Sequence, residues 1–210
     1  MFELLTDYQW AALFGALGGI ALGLAARLGR FCTLGAIEDA LYSSSTDRLR
    51  MWGVALGIAI IGSFSAIQFG LLAPTDTFYL TQAFNPMAAI VGGLMFGYGM
   101  ALSGNCGFGA LARLGGGELR AFMIVIVMGI SSYAALSGPL AALRIALFTP
   151  SPANGRYTNF PDLVHDFIGL GQVAAGLLIG LIILGIACIS PAIKRTPSIL
   201  FWGAIVGLSI

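Results

Sequence analysis

The sequence predicts an all-α, polytopic membrane protein with about five to six transmembrane helices, on three observations. First, 58% of the 210 residues are hydrophobic and only 9% are charged, whereas soluble domains carry about 25% charged residues. Second, apolar runs long enough to cross a bilayer recur along the chain. Third, a glycine-rich break with a cysteine follows two of these runs. We expect residues 1–210 to form a single transmembrane domain.

The apolar runs define the expected membrane spans, since a helix needs about 20 such residues to cross the hydrocarbon core. Five runs qualify, at roughly 9–29, 51–73, 86–103, 121–147 and 167–190. Pro139, after Ser137 and Gly138, is expected to break the fourth run, because proline removes a helical hydrogen bond. A sixth run from Pro197 to Ile210 is too short to cross, so we expect the chain to be the truncated front portion of a longer protein.

Basic residues between the runs predict the orientation, because cytoplasmic connections are enriched in Lys and Arg. They lie between the first two runs, between the third and fourth, and after the fifth, as Arg27, Arg30, Arg48, Arg50, Arg113, Arg120, Lys194 and Arg195. The connection at 74–85 has none, and the one at 148–166 has only Arg156. We therefore expect the N-terminus outside and the cysteine-bearing connections on the cytoplasmic side.

Composition also excludes several functions. The net charge of +1, with basic residues spread thinly, argues against a nucleic-acid-binding surface. Cys32, Cys106 and Cys188 are far apart and only one histidine is present, so we expect no metal site, no cofactor and no disulfide framework. Cys188 has no break after it and is expected to pack against neighbouring helices.

An internal repeat appears when the chain is shifted by 74 positions, which places Cys32 on Cys106. GGIALGLAARLGRFCTLGA then aligns with GGLMFGYGMALSGNCGFGA. The repeat units are 9–73 and 86–147, and 167–210 follows them. Each unit is predicted to contain a long helix, a break with the cysteine, and a short re-entrant helix. Broken helices at membrane depth are typical of transporters, where they line a cavity.

Each break has the chemistry of an anion site. The N-terminus of a short helix offers unpaired N–H groups and about half a positive charge, glycine lets a ligand approach the backbone, and a thiol adds a polarizable sulfur. This combination favours a soft, sulfur-containing anion. The candidate residues of the substrate path are Cys106, Cys32, Asn105, Ser103, Gly107, Gly109, Gly35, Arg30 and Arg113. Glu38 and Asp39 are expected to face solvent or to pair with arginine.

Simpler explanations exist for the same residues. Buried cysteine is often only a small hydrophobic residue, and the positive-inside bias alone accounts for the arginines. The recurrence of cysteine, break and short helix together favours function for Cys32 and Cys106.

Two motifs, RLGRFCTLGAIEDAL (27–41) and GGLMFGYGMALSGNCGFGALARLGGGE (92–118), resemble those of the YeeE/YedE-type sulfur-compound transporters. The resemblance implies uptake of thiosulfate across the bacterial inner membrane, with the ion passing between cysteines, a role that falls on Cys106 and Cys32. It also implies a longer protein with further cysteine motifs. Some relatives are associated with selenium, so a selenium compound is an alternative substrate.

The sequence leaves several function classes open. The leading hypothesis is a permease for thiosulfate or a similar anion, with the lipid bilayer and a cytoplasmic sulfur-accepting protein as candidate partners. A membrane-embedded thiol enzyme, either a sulfurtransferase or a disulfide-exchange protein, would need an activated thiolate and a resolving partner. A purely structural subunit is the third possibility. We expect no catalytic residue and no enzyme activity.

Overall fold

The computed structural model describes residues 7–71, 85–148, 171–189 and 196–210. Within these ranges all regular secondary structure is helical. The helices in chain order are α1 (Asp7–Arg27), α2 (Thr33–Tyr42), α3 (Asp47–Gln68), α4 (Pro86–Ser103), α5 (Gly107–Gly115), α6 (Leu119–Leu136), α7 (Leu140–Phe148), α8 (Gln172–Cys188) and α9 (Ser198–Ser209). The all-α prediction is confirmed for the described residues.

Four helices, α1, α3, α4 and α6, are long and apolar enough to cross a membrane, and α8 and α9 are shorter apolar helices. Most residues of the four long helices are not buried within the chain. Apolar side chains without a protein neighbour are stable in hydrocarbon and unfavourable in water. The protein is therefore a multi-pass membrane protein.

Both predicted short helices are present. Helix α2 follows α1 after a five-residue break, 28–32, and α5 follows α4 after a three-residue break, 104–106. Thr33 and Gly107, the first residues of α2 and α5, are 74 positions apart (107 − 33), which is the offset of the sequence repeat. The sequence therefore predicted the place of both breaks.

Helix α3 begins four residues earlier than the predicted run at 51, so Arg48 and Arg50 lie in its first turn and not in a connection. The carbonyl of Thr46 accepts from the amide of Arg50 at 2.9 Å, and its hydroxyl accepts from Arg50 Nε at 3.1 Å. Asp47 adds a carboxylate at the N-terminal turn, which the helix dipole favours. These local polar contacts extend the helix past its apolar segment.

The predicted break in the fourth run is confirmed, since α6 ends at Leu136 and α7 begins at Leu140. Pro139 has no N–H to donate to the carbonyl of Ala135. Arg144 Nε donates to that oxygen at 3.2 Å instead. An arginine inside an apolar run, which the sequence did not explain, thus supplies the donor that proline removes. Predicted features at 74–84, at 149–166 and at Lys194–Arg195 lie outside the described residues.

The chain divides into two compact units, residues 1–62 with 179–210, and residues 63–178. In the first unit, α9 packs against α1 and against α3, where a Cβ on Gly207 would lie 2.6 Å from the Ala55 carbonyl oxygen. Val54 of α3 is its largest fully buried side chain. In the second unit, α5 packs against α6, and α6 against α7.

Candidate functional site

Cys106 occupies the N-cap position of α5, at the end of the second break. Gly104 adopts the left-handed conformation that ends α4, with φ of 62°, a conformation that glycine adopts without strain. Cys106 itself is extended, with φ of −87° and ψ of 156°. Its Sγ accepts a hydrogen bond from the Gly109 amide at 3.2 Å, and only 3% of the residue is exposed. A thiol therefore fills the position that serine or aspartate usually takes.

This cap is a weak one, and that property matters for an anion. The sulfur of a thiol is a weaker acceptor than a hydroxyl or carboxylate oxygen. A negatively charged ligand at the start of α5 would compete for the Gly109 amide against a neutral sulfur, with the helix dipole in its favour. The neutral sulfur of Cys106 therefore holds the Gly109 amide less strongly than a hydroxyl or carboxylate cap would.

The residues just before Cys106 form the rest of the break. The Ser103 hydroxyl donates to the Asn105 carbonyl at 2.9 Å, with the Met100 carbonyl at 3.2 Å as the alternative acceptor. In this conformation Ser103 stabilises the break itself. Asn105 is 7% exposed, and no described residue hydrogen-bonds to its side-chain amide. Its NH₂ group is a donor without an acceptor among the described residues, so this amide is a candidate ligand donor.

A cavity of about 560 Å³ lies beside the break within the second unit. Ser103, Asn105 and Gly107 line its polar end. Its remaining wall comes from apolar side chains of α4 and α6, among them the four methionines Met95, Met100, Met123 and Met128. Three of the sequence-predicted site residues therefore meet in one cavity.

Gly107, the first residue of α5, is in close contact with this wall. A Cβ at Gly107 would lie 3.1 Å from Met128 Sδ, so the missing side chain makes room for the thioether. Sequence reasoning missed the methionines. The available signal was their concentration, since five of the chain's seven methionines lie in α4 and α6.

Cys32 is the N-cap residue of α2, in the first unit. Its backbone is extended, with φ of −153° and ψ of 129°, and its carbonyl accepts from the Ala36 amide at 3.0 Å. The Cys32 side chain is half-buried and makes no capping hydrogen bond to α2. Phe31, directly before it, is buried and stacks on Trp52 with 4.6 Å between ring centroids. The two cysteines thus share a backbone position but differ in how their sulfurs are used.

Gly35 lies under an arginine that the sequence assigned only to topology. A Cβ at Gly35 would be 2.5 Å from Arg48 Nη1, and Arg48 Nε pairs with Asp39 Oδ2 at 3.1 Å. The expectation that Asp39 pairs with arginine is therefore confirmed, and Glu38 is exposed as expected. Arg48 brings a positive charge to the first turn of α2.

The two arginines predicted to flank the breaks are exposed. Arg30 has a left-handed backbone, with φ of 52°, between α1 and Cys32. Arg113 lies in the last turn of α5, about 10 Å along the helix from Cys106 at about 1.5 Å per residue. Cys188, predicted to be a packing residue, is exposed at the end of α8, so that prediction is wrong. None of the three cysteines is in a disulfide.

The profile of a family described as Sulphur transport matches residues 28–205, a range that contains both breaks. The chain belongs to this YeeE/YedE family of sulphur transporters. The thiosulfate transporter TsuA of Escherichia coli (strain K12) is 29% identical over 120 residues, which cover 57% of this chain and 33% of that protein. No solved structure gave a significant match.

Two further relatives agree with this assignment. The thiosulfate transporter TsuA of Spirochaeta thermophila (strain ATCC 700085 / DSM 6578 / Z-1203) is 29% identical over 124 residues, 59% of this chain and 36% of its own length. The probable transporter YedE of Escherichia coli (strain K12) is 26% identical over 102 residues, 49% of this chain and 24% of its own length. The chain matches about a third or less of the length of these curated relatives.

Proposed function

We propose that this chain forms a permease path for a small sulfur-containing anion, with thiosulfate as the preferred substrate. We also propose that the break at Cys106 is a binding site on that path. The supporting observation is the weak thiol cap of α5 beside a cavity that holds the buried amide of Asn105. The names of two relatives, both thiosulfate transporters, support the choice of substrate.

Dehydration decides which groups must take part. Moving an isolated ion into an apolar medium costs tens of kcal/mol by Born estimates, which a thiol alone cannot offset. The donors that replace water are the amides of the first turn of α5 and the side chain of Asn105. The thiol contributes a soft and weak contact, and weak binding is what a conducting site requires because a tightly held ion does not leave.

Cys32 provides a second binding site of similar structure on the proposed path. It has the same N-cap position, and the guanidinium of Arg48 lies against the same helical turn. A cation near a helix N-terminus attracts an anion more strongly than the dipole does alone. Arg30 and Arg113, both exposed, would raise the local concentration of anions near the breaks.

The proposed orientation places the N-terminus outside the bacterial inner membrane and both breaks towards the cytoplasm, with α2 and α5 as re-entrant helices. The arginines at 27, 30, 48, 50, 113 and 120 support this orientation through the positive-inside bias. A cytoplasmic protein that accepts sulfur is the expected partner for the imported ion.

Uptake of labelled thiosulfate by cells that lack their own thiosulfate importer tests this function. We expect the parent chain to restore uptake, Cys106→Ala to abolish it, and Cys188→Ala to retain it, because Cys188 lies exposed at a helix end. Equal uptake by Cys106→Ala and the parent would contradict the proposal. Recovery of altered sulfur products, or of a persulfide on Cys106, would instead favour the thiol-enzyme alternative, and the same assay with selenite separates a selenium transporter.

A further inference from the structure

Methionine is concentrated around the cavity beside the Cys106 break. Four of the chain's seven methionines line it, two from α4 and two from α6. Helix α5 begins at its polar end, where Gly107 gives way to Met128 Sδ. The lining of the cavity thus combines the Asn105 amide with four thioethers.

We propose that this methionine wall is the specificity element of the site, which rests on the transport function proposed above. The wall receives the terminal sulfur of the anion, while the Asn105 amide and the first turn of α5 hold its oxygen end. The class of ligand is a sulfur-terminated anion with one polar and one soft end, such as thiosulfate or a thiosulfonate. Met100 and Met128 are the specificity-determining residues, since Met100 is buried and Met128 contacts α5.

The discrimination comes from the difference in dehydration between sulfur and oxygen. An oxyanion oxygen accepts strong hydrogen bonds from water and loses them against a wall that offers no donor. A terminal sulfur is a weaker acceptor and loses less, and its polarizable electrons gain dispersion contacts with the thioethers. A wall without donors therefore excludes sulfate, all of whose corners are oxygen, more than it excludes thiosulfate. The site would therefore gain specificity by disfavouring the binding of the competing anion, sulfate.

The residue types on the wall fit this role better than a purely packing role does. Met123 and Met95 are 61% and 71% exposed in the chain, so most of their surface is not packed against the described residues. Phe96, Ile124 and Val127 complete the wall without adding a donor. Thioethers combine an apolar surface with a polarizable atom, which a leucine wall would not provide.

Competition by sulfate against labelled thiosulfate uptake tests this inference in cells that express the full chain. We expect Met128→Gln to increase the sensitivity of thiosulfate uptake to sulfate by at least about five-fold. The glutamine amide adds one donor that can hydrogen-bond to a sulfate oxygen, and one such bond typically changes affinity by about this factor. Met87→Gln, the matched control, adds the same donor to α4 outside the cavity lining and should stay within about two-fold of the parent. Met100→Gln is the second test. The measured quantity is the ratio of sulfate competition to thiosulfate uptake, which does not depend on the amount of protein in the membrane.

The parent chain supplies a measurement that does not depend on any variant. Methanethiosulfonate, which has a terminal sulfur, should compete with thiosulfate at least about ten-fold better than sulfite, which has none. Unchanged sulfate sensitivity in both glutamine variants, or equal competition by sulfite and methanethiosulfonate, would overturn the inference about the methionine wall. Thiosulfate uptake by the parent in the same experiment would still support the transport function. A parent without thiosulfate uptake would overturn the proposed function and this inference with it.

Discussion

The sulfur of Cys106 accepts a hydrogen bond from the amide of Gly109 at 3.2 Å, so a thiol caps the helix that starts at the second break. At the equivalent position of the first break, Cys32 makes no such capping bond. The two cysteines align in the sequence repeat and both have an extended backbone. Only the sulfur of Cys106 accepts a capping hydrogen bond from the helix that follows it. In the proposed function, an anion that binds the Gly109 amide would displace the thiol, and this exchange would link binding to the local structure of α5.

Cys106→Ser separates capping from sulfur chemistry. Serine is a better N-cap than a thiol, so the variant should be at least as stable as the parent. Cys106→Ala should be less stable than the parent, by less than the ~1 kcal/mol that loss of a serine cap typically costs. Because the hydroxyl holds the Gly109 amide more tightly and offers no soft atom, we expect thiosulfate uptake to fall by at least ten-fold. Thermal unfolding in detergent and uptake in cells measure the two effects. Full uptake with serine would show that the thiol has no special role.

Asn105→Asp tests the buried amide with almost no change in shape. The substitution places a carboxylate in the cavity, where it repels an anion and removes the NH₂ donor. We expect uptake at neutral pH to fall by about a hundred-fold or more, while the level of protein in the membrane stays similar. Asn105→Ala is the companion variant and should retain more uptake than the aspartate variant, because it adds no charge. The reverse order would place Asn105 outside the path.

Gly35→Ala should move Arg48, since the new Cβ would lie 2.5 Å from Arg48 Nη1. The Arg48–Asp39 pair is then weakened, a partly exposed contact worth about 0.2–1 kcal/mol. A double-mutant cycle with Arg48→Ala in thermal unfolding measures the coupling. We expect Gly35→Ala to be destabilising in the parent and nearly neutral without the arginine. Identical effects in both backgrounds would show that the guanidinium does not rest on Gly35.

Arg144 and Pro139 should be coupled through the carbonyl of Ala135. Arg144→Leu leaves that oxygen without the donor at 3.2 Å, which should destabilise the protein by about 1–3 kcal/mol in an apolar environment. Pro139→Ala restores a backbone N–H at the position that normally bonds to Ala135. We expect the loss caused by Arg144→Leu to shrink in the Pro139→Ala background. Additive effects of the two substitutions on the unfolding temperature would contradict this explanation.

Features that depend on neighbouring residues were predicted well from the sequence. The breaks before Thr33 and Gly107, and the interruption at Pro139, follow from glycine, proline and cysteine spacing that acts within a few residues. The early start of α3 was missed because Thr46 and Asp47 extend the helix beyond its apolar segment. The contacts of Arg48 with Gly35 and of Met128 with Gly107 were also missed. They join residues of different helices, 13 and 21 positions apart (48 − 35 and 128 − 107), and no local periodicity specifies them.

The most direct measurement is thiosulfate flux in proteoliposomes that contain only the purified full chain. We expect accumulation of labelled thiosulfate by the parent and by Cys188→Ala, weak or no competition by sulfate, and loss of flux in Cys106→Ala. Flux that is unchanged in Cys106→Ala, or sulfate that competes as well as unlabelled thiosulfate, would contradict the claim that the thiol-capped break binds a sulfur anion.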